Sequence, residues 1–584
     1  MVGPAPPLED RLRRKPPAQR GGGESLQCDP GGFRSETHAG RPGEAGIQPV
    51  LKKMKETAAK FCEFDQFLAH YEPLTPYGRA EKLRGTFYSS AKELETLYDL
   101  TDGFAAFAKN KTRADKLAWH LKNIPALPAD GPSSGPAGLF LVHRFLSNFK
   151  AAARLLPAPL AKKTGFHWTC SDLLSILDKG AQSGAFHIAD AFSPALARVR
   201  RAIAETDRHL AGLRAERLAG IRKCSGLDFG DLDFLVIAED RARQLCESGH
   251  VFTEPYDAGR VVTKPIMTPA WLELSGERER LRAEEGRAEA LACAELWAAV
   301  TGERAALEAC EKAVELCDRA FSRARMAKGL SLSRPELKSA GAPIAVKGAR
   351  FLPLERTLGE YGLPYTPLDF TFGKRLSVIH GSNMGGKTVV LKTVTLLQLA
   401  AQSGFFVPAK KYSAPVFSGL AAVWGDPDDK AEGLSAFGLE MEAFNRAWAA
   451  ADRPLLLVMD EFARTTNAAE ASALISGVLE EAVSNRNVRL MLATHFRAPL
   501  PREAAALRML GFDPASFRRH YKGKTAAGLR EKLKTINRFM RYGLAADKGA
   551  AGPADALSIA AILGVPARII KAAERSMEEN NARD

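Results

Sequence analysis

The sequence predicts a multidomain protein in which a mainly α-helical N-terminal core with long helices precedes a C-terminal α/β domain. The first observation is length, because 584 residues exceed what one hydrophobic core usually organises and suggest about three or four domains. The second is a pair of long amphipathic segments that begin near Ser193 and Thr268. The third is a succession of short apolar runs after residue 341, which end in glycine-rich or acidic turns as buried parallel strands do.

The composition is that of an ordinary globular protein. Hydrophobic residues make up 46% of the chain, and no apolar run approaches the ~18 residues of a membrane span, so no membrane association is expected. The eight cysteines are scattered without a CxxC pair, which indicates neither a zinc site nor a disulfide framework and favours a cytoplasmic location. The formal net charge of +14 permits a polyanionic partner without demonstrating one.

The N-terminal third divides at Met54. Residues 1–53 are rich in proline and glycine and poor in apolar side chains, so they cannot bury enough surface to offset the entropy of ordering. We predict a disordered tail, or a start site placed too far upstream with Met54 as the true initiator. Residues 54–193 have a mostly helical pattern and carry no recognisable chemistry.

Residues 194–340 are predicted to form long helices around a small insertion. Ser193 can cap the first helix, and Pro194 fits its first turn, after which apolar side chains recur at helical spacing. A second helical region begins at Thr268, and the insertion 226–268 separates the two. This layout suggests paired levers with a clamp-like segment, and an ordinary helical bundle is the alternative.

The octapeptide from Gly381 to Thr388 follows the apolar run 376–379 and opens into a helical stretch. Strand, glycine-rich turn and helix is the context of a phosphate-binding P-loop, in which backbone N–H groups and the helix N-terminus surround phosphate oxygens. Lys387 is expected to reach the β- and γ-phosphates, and the Thr388 hydroxyl to bind Mg²⁺. The residues predicted to bind the nucleotide are Gly381, Ser382, Asn383, Met384, Gly385, Gly386, Lys387 and Thr388.

Two more strand ends carry polar residues. The run 455–459 is apolar throughout and ends in Asp460 and Glu461, which a parallel strand would deliver to the carboxyl edge of its sheet. Asp460 can hold Mg²⁺, and Glu461 can orient or deprotonate the attacking water. A third strand, 488–492, leads to His495, which we interpret as a γ-phosphate sensor. The residues predicted to act in catalysis are Glu461, His495 and Lys387.

The octapeptide resembles the Walker A sequence of the MutS family of ATPases, in which Asn-Met before Gly-Gly-Lys is distinctive. The segments 406–410 and 433–441, the Asp460-Glu461 pair and the Ala493-Thr494-His495 triplet are similar to MutS elements in the same order and at comparable spacing. The match covers roughly residues 194–573, strongly in the ATPase part and weakly in the helices. The resemblance implies a MutS core of lever helices followed, over residues 341–515, by an ABC-like P-loop ATPase domain that uses ATP and Mg²⁺.

The resemblance also implies a nucleotide-linked dimer, either a homodimer or a heterodimer with a related subunit. Ser435 stands at the position that would contact the nucleotide bound by the other subunit, and Tyr365 stands where MutS proteins place an aromatic residue that stacks on adenine. Asn383 would approach the γ-phosphate. The segment 516–584 is predicted to be helical and to serve dimerisation, and its basic stretch 518–541 is either a phosphate-contacting surface or a solvated helical face.

The sequence also departs from the family. After Glu461 the family usually reads Ile-Gly-Arg-Gly-Thr-Ser, whereas residues 462–467 of this chain contain neither glycine, and Ala436 replaces a usual threonine. We therefore expect altered communication across the dimer with intact hydrolytic residues. The stretch from Met54 to Gly381 is also too short to hold mismatch-recognition and connector domains beside the core, so direct mismatch reading is not expected.

Two functions remain open. In the first, the protein is a DNA-acting MutS homologue of mismatch-repair or recombination type that clamps a duplex. In the second, it remodels a protein client, because the short layout and the segments 74–79 and 232–235 resemble the reactivating ATPases of adenosylcobalamin-dependent lysine 5,6-aminomutase. Between Ile221 and Thr268 six basic residues stand against eight acidic ones, and this net charge of −2 is poorly suited to gripping phosphates. It favours the protein client slightly.

Overall fold

The computed structural model describes residues 44–182, 185–247, 249–381, 385–425, 435–520, 528–547 and 555–581. Residues from Pro49 onward form one compact unit, and residues up to Gln48 form another, of which only the helical backbone of 44–48 is described. The predicted disordered tail therefore lies mostly outside the described residues, but it is wrong for residues 44–53, which belong to the first helix. Within that helix Leu51 and Met54 pack over Gly419, and this burial offsets the cost of ordering the segment.

The region 54–193 is mostly helical, as its pattern predicts. Its helices pack around an aromatic core in which Phe145, Phe149 and Phe166 are buried. Two 3₁₀ turns cover Gly131–Ser134 and Asp190–Phe192. The helices and short strands are α1 (Glu44–Phe61), α2 (Phe64–Leu68), α3 (Pro76–Arg84), α4 (Ala91–Phe107), α5 (Lys111–Lys122), α6 (Gly135–Leu155), α7 (Ala158–Thr164), α8 (Ser171–Asp178), β1 (Ala181–Gln182) and β2 (Ala185–Phe186).

Two long helices follow, and both begin where the sequence predicts. The Ser193 hydroxyl accepts a hydrogen bond from the Leu196 N–H, and the Thr268 hydroxyl accepts one from the Trp271 N–H, so each helix has a side-chain cap. The insertion between them folds as a three-stranded antiparallel sheet, in the order β3-β5-β4, with one helix. The elements are α9 (Pro194–Ser225), β3 (Leu235–Ala238), α10 (Glu239–Cys246), β4 (Val251–Asp257), β5 (Arg260–Pro265), α11 (Pro269–Gly302) and α12 (Arg304–Leu330).

The remainder of the chain alternates strands and helices around two sheets. A four-stranded sheet has the order β6-β10-β7-β8, and a six-stranded sheet has the order β11-β12-β13-β9-β14-β15. The elements are β6 (Glu336–Lys338), β7 (Ile344–Ala349), α13 (Leu352–Glu360), β8 (Leu368–Phe372), β9 (Leu376–His380), α14 (Lys387–Gln402), β10 (Lys411–Pro415), β11 (Gly419–Val423), α15 (Ala436–Trp448), β12 (Leu455–Asp460), α16 (Ala468–Ser484), β13 (Val488–Thr494), β14 (Ala504–Phe512), α17 (Pro514–His520), α18 (Leu529–Phe539), β15 (Met540–Ala546), α19 (Asp555–Leu563) and α20 (Ala567–Asn581).

The six-stranded sheet is buried on both faces, which explains its continuous apolar strands. Along β12, Leu456 and Val458 belong to the core shared with α14 and the four-stranded sheet. Leu455, Leu457 and Met459 point the other way, into the core shared with α15 and α16. From β11 to β14 all neighbouring strands are parallel, so their carboxyl ends lie along one edge.

The last strand of this sheet differs from the purely helical segment predicted over 516–584. Residues 540–546 form β15, which pairs antiparallel with β14 and closes the edge of the sheet. The open edge of β14 offers a ladder of backbone hydrogen bonds, and this tertiary opportunity outweighs local helical preference. Lys522 and Lys524 of the predicted basic stretch lie outside the described residues.

A buried carboxylate joins the helical region to α12. Asp318 is fully buried and accepts hydrogen bonds from the Leu74 N–H (3.0 Å), the Thr75 N–H and hydroxyl (2.7 Å each) and the Ser322 hydroxyl (2.9 Å). Gly78 is required beside it, because a Cβ atom there would lie 2.2 Å from the Asp318 Oδ2 atom. Asp318 therefore fixes the start of α3 against α12.

Among the described residues, no helix has the length and apolar character needed to cross a membrane.

Candidate nucleotide site

The carboxyl edge of the six-stranded sheet collects the polar residues singled out in the sequence. Strand β13 lies between β12 and β9, so the ends of these three strands are neighbours. Asp460 pairs in register with Ala493, and Thr494 pairs with His380 just before the glycine-rich turn. The topology thus brings the start of the glycine-rich turn, the Asp460-Glu461 pair and the end of β13 to one place.

The turn after β9 is described at Gly381 and again from Gly385, and the predicted binding residues Ser382, Asn383 and Met384 lie outside the described residues. Gly381 has a φ of 142° and Gly386 a φ of 91°, backbone conformations that side chains with a Cβ rarely adopt. Gly386 precedes α14, whose first residue is Lys387. The sequence needs glycine here because the chain must bend sharply from strand into helix.

Lys387 is 1% exposed, and its Nζ atom donates a 2.6 Å hydrogen bond to the Gly381 carbonyl. Burial lowers the pKa of its ammonium group, while the nearby carboxylates of Glu461 and Asp460 oppose that shift. A buried cation held at the base of the glycine-rich turn is placed to meet an anion entering the turn.

Asp460 and Thr388 form the region that could hold a metal ion. Burial raises the pKa of Asp460, and a hydrogen bond from Thr388 counteracts this in part. Within the described part of the chain, the buried Oδ1 atom of Asp460 has no hydrogen-bond partner. An unsatisfied carboxylate oxygen beside a threonine hydroxyl fits Mg²⁺, which binds through one or two protein oxygens and completes its shell with waters and phosphates.

Glu461 follows Asp460 in a left-handed conformation, with a φ of 53°, and its backbone N–H donates to the Ala493 carbonyl over 2.9 Å. Its side chain is mostly buried, and the Oε2 atom lies 3.3 Å from an Arg464 nitrogen. His495 is exposed just beyond β13, with its ring 4.0 Å from that of Phe496. Glu461 follows β12 and His495 follows the neighbouring β13, and their predicted catalytic roles remain predictions.

The segment after Glu461 retains a tight turn despite the lost glycines. Ala463 occupies the first glycine position of the family sequence and has a φ of 61°. Its N–H donates a 3.1 Å hydrogen bond to the buried Glu440 carboxylate on α15. Burial raises the pKa of Glu440 to about 7. The backbone therefore keeps a glycine-like conformation at an alanine, with a side chain of another element as its support.

A small apolar pocket borders the glycine-rich turn. Tyr365 lines it, and its hydroxyl accepts a hydrogen bond from the Phe351 N–H over 2.9 Å. Met509 and Tyr542 approach within 3.7 Å of where a Cβ atom would stand on Gly386. The pocket can accept a flat apolar group next to the glycine-rich turn. The sequence analysis missed Tyr542, because no local pattern links a residue of β15 to Gly386.

Ser435 precedes α15, where its hydroxyl accepts a 3.2 Å hydrogen bond from the Gly438 N–H. The residue is exposed, and Gly433 and Leu434 before it lie outside the described residues. The contact of Ser435 with a second subunit's nucleotide remains a prediction.

Comparison with known proteins identifies this part of the chain. Residues 377–581 match the family described as MutS domain V. The chain is 30% identical over 250 residues to the Endonuclease MutS2 of Solidesulfovibrio magneticus, covering 42% of this chain and 32% of the relative. It is 30% identical over 312 residues to the Endonuclease MutS2 of Thermomicrobium roseum, covering 50% and 38%.

A third relative has a different name. The chain is 31% identical over 263 residues to the DNA mismatch repair protein MutS of Anaeromyxobacter sp., covering 43% of this chain and 29% of that protein. The chain thus spans well under half the length of each curated relative described here. The family match and these relatives agree with the resemblance found at the octapeptide from Gly381 to Thr388. Residues 377–581 therefore match MutS domain V, and part of the chain is similar to MutS-family proteins.

Proposed function

We propose that the protein is a magnesium-dependent ATPase that couples nucleotide-driven closure of a dimer to remodelling of a bound partner, without direct mismatch reading. The observation that carries the proposal is the buried Oδ1 atom of Asp460, which lies near Thr388 and Lys387 and has no hydrogen-bond partner among the described residues. Leaving a buried polar atom without a partner costs about 1–3 kcal/mol, so such an atom at a strand end indicates a ligand site.

The residues divide the work of phosphoryl transfer. The glycine-rich turn and Lys387 hold the β- and γ-phosphates, and the apolar pocket at Tyr365 and Tyr542 receives the adenine. Thr388 and Asp460 hold Mg²⁺, which supplies charge stabilisation to the phosphates when it is bound. Glu461 orients the attacking water and accepts its proton, and His495 contacts the γ-phosphate. The chemistry is positioning and electrostatics, so misplacing a side chain by 1 Å would cost about 100-fold in rate.

The site is completed by a second subunit. Ser435 is exposed at the N-terminus of α15, where an approaching phosphate would meet the positive end of the helix. We propose that it contacts the nucleotide held by the partner subunit. ATP binding then closes the dimer, and hydrolysis releases it.

DNA is the first candidate for the partner, because the relatives described above are named as mismatch-repair proteins and endonucleases. The insertion 226–268 supports the alternative of a protein client. Two of its cations are already paired within the sheet: Lys264 lies 2.7 Å from Glu254, and Arg260 lies 2.5 Å from Asp257. Cations neutralised in this way release few counterions from a phosphate backbone.

The ATPase proposal is tested by measuring nucleotide binding and hydrolysis with Mg²⁺ and with EDTA. Wild-type protein is expected to hydrolyse ATP only with Mg²⁺, and Lys387→Ala is expected to abolish ATP binding. Lys411→Ala, which changes an exposed lysine on β10, serves as the control and should behave as wild type. Unchanged ATP affinity in Lys387→Ala would contradict the assignment.

The partner is tested by binding to duplex and branched DNA at two salt concentrations, with and without ATP. Tight binding that weakens steeply with salt and depends on nucleotide supports DNA. Absence of such binding, together with ATP hydrolysis stimulated by an adenosylcobalamin-dependent aminomutase, supports the protein client.

A further inference from the structure

Helix α15 contacts the turn after β12 at two points. The carboxylate of Glu440 accepts the hydrogen bond from the Ala463 N–H, and the ring of Phe444 lies 5.5 Å from that of Phe462. Glu440 is 6% exposed, so this contact lies inside the protein. Burying a carboxylate costs folding free energy unless the group is hydrogen-bonded or paired with a cation.

The turn that Glu440 supports is the one that carries Glu461. Glu461 and Ala463 both have positive φ values, 53° and 61°, although neither is glycine. The Arg464 N–H donates to the Glu461 carbonyl, and the Thr466 N–H donates to the Ala463 carbonyl, so the backbone folds tightly over these residues. Left-handed conformations at two non-glycine residues persist only where surrounding groups hold them.

Arg464 also participates in this arrangement. One of its nitrogens lies 3.3 Å from Glu461 Oε2, and another lies 3.1 Å from where a Cβ atom would stand on Gly425. The same guanidinium is near enough to Glu440 to lower the pKa of that carboxylate against the effect of burial. Arg464 is therefore shared between the carboxylate proposed as catalytic base and the carboxylate on α15.

We infer that Glu440 is a positioning residue: by holding the Ala463 N–H and attracting Arg464, it fixes the turn that aims Glu461 at the attacking water. This inference rests on the proposed ATPase function. Ser435 caps the same helix, so the contact also links the position of Ser435 to that of Glu461.

The test measures kcat, KM and nucleotide affinity for ATP in wild type, Glu440→Ala, Glu440→Gln and Glu442→Ala. Rates are expressed per mole of bound nucleotide, so molecules that fail to fold do not count. Glu440→Ala is expected to lower kcat about 10- to 100-fold, with KM and nucleotide affinity unchanged, because the base is misplaced while the phosphates are still held. Glu440→Gln keeps an oxygen that accepts the Ala463 N–H and should recover most of the lost rate. Glu442→Ala changes an exposed residue of the same helix and should match wild type.

The results distinguish the positioning role of Glu440 from the proposed ATPase function on which it rests. Wild-type protein without magnesium-dependent hydrolysis overturns both. Normal hydrolysis in wild type with a Glu440→Ala kcat equal to that of Glu442→Ala overturns the positioning role alone. A parallel loss of nucleotide affinity and kcat in Glu440→Ala that Glu440→Gln does not restore assigns Glu440 to general stability and also overturns it.

Discussion

Two aspartates inside this protein have opposite surroundings. Asp318, at the junction of α3 and α12, is fully buried, and both its carboxylate oxygens accept hydrogen bonds from backbone N–H groups or hydroxyls. Asp460, at the end of β12, has a buried Oδ1 atom that lacks a partner among the described residues, and burial raises its pKa. The hydrogen-bonding capacity of Asp318 is therefore satisfied within the fold, whereas an oxygen of Asp460 is available to bind a ligand.

The number of hydrogen bonds that a buried carboxylate accepts therefore helps to distinguish a structural acid from a functional one. A satisfied carboxylate stabilises the folded state, and removing it leaves donors stranded. An unsatisfied one costs stability in the folded state until its ligand arrives, and such costs concentrate at functional sites. The comparison predicts that equivalent substitutions at the two positions will have opposite effects.

The largest effect is expected next to Asp460. Glu461→Gln should bind ATP normally and hydrolyse it about 10²–10⁴-fold more slowly, because the amide cannot accept the proton of the attacking water. The variant should accumulate as a closed dimer with ATP bound. Single-turnover hydrolysis and size-exclusion chromatography measure these two results. Glu480→Gln, an exposed change on α16, is the matched control, and hydrolysis at the control rate in Glu461→Gln would remove Glu461 from the role of base.

The second prediction concerns the satisfied carboxylate. Asp318→Asn should destabilise the protein by about 3 kcal/mol, because an amide NH₂ group would face the Thr75 N–H and hydroxyl in a buried site. Urea unfolding measures this as a lower midpoint. The folded fraction should still bind ATP with wild-type affinity, and a midpoint equal to that of wild type would show that the junction does not depend on this charge.

The third prediction applies the same chemical change to the unsatisfied carboxylate. Asp460→Asn should reduce magnesium-dependent hydrolysis about 10- to 100-fold or more, because a neutral amide oxygen is a poor Mg²⁺ ligand. Titrating Mg²⁺ at fixed ATP should show a higher magnesium requirement than in wild type. An unchanged magnesium dependence would place the metal on other residues.

The smallest expected effect is on how the folding stability depends on pH. The folded-state pKa of Asp460 is raised above its unfolded value near 3.8, so the folded protein binds this proton more tightly. The resulting stability is fully present below pH 3.8 and is lost as pH rises through the folded pKa. Urea midpoints measured from pH 4 to pH 7 without ligand should fall more steeply for wild type than for Asp460→Asn. Parallel curves would show that the carboxylate carries no such cost.

The sequence predicts those elements whose structure depends on neighbouring residues in the chain. Strand β12 is recognisable because both its faces are buried, so every residue from Leu455 to Met459 is apolar. The start of α9 is recognisable because Ser193 and Pro194 satisfy the rules of a helix N-terminus. The same is true of the glycine-rich turn, where the backbone conformations themselves demand glycine.

The remaining features depend on contacts between distant residues. Tyr542 reaches Gly386 only because β15 joins the edge of the sheet, and Asp318 meets Thr75 across 243 positions of the chain. The support that Glu440 gives Ala463 requires α15 to pack over the turn after β12. No periodicity or spacing in the sequence encodes these pairs, because tertiary packing alone brings them together.

The most direct measurement of the central claim is urea unfolding of wild type and Asp460→Asn at pH 7, each with and without Mg²⁺ and ATP. Without ligand, Asp460→Asn should be at least as stable as wild type, because it removes a poorly solvated charge. With saturating ligand at about 100 times its dissociation constant, wild type should gain about 2.7 kcal/mol and become the more stable protein. A lower midpoint of Asp460→Asn without ligand, and no change in rank when ligand is added, would contradict the account.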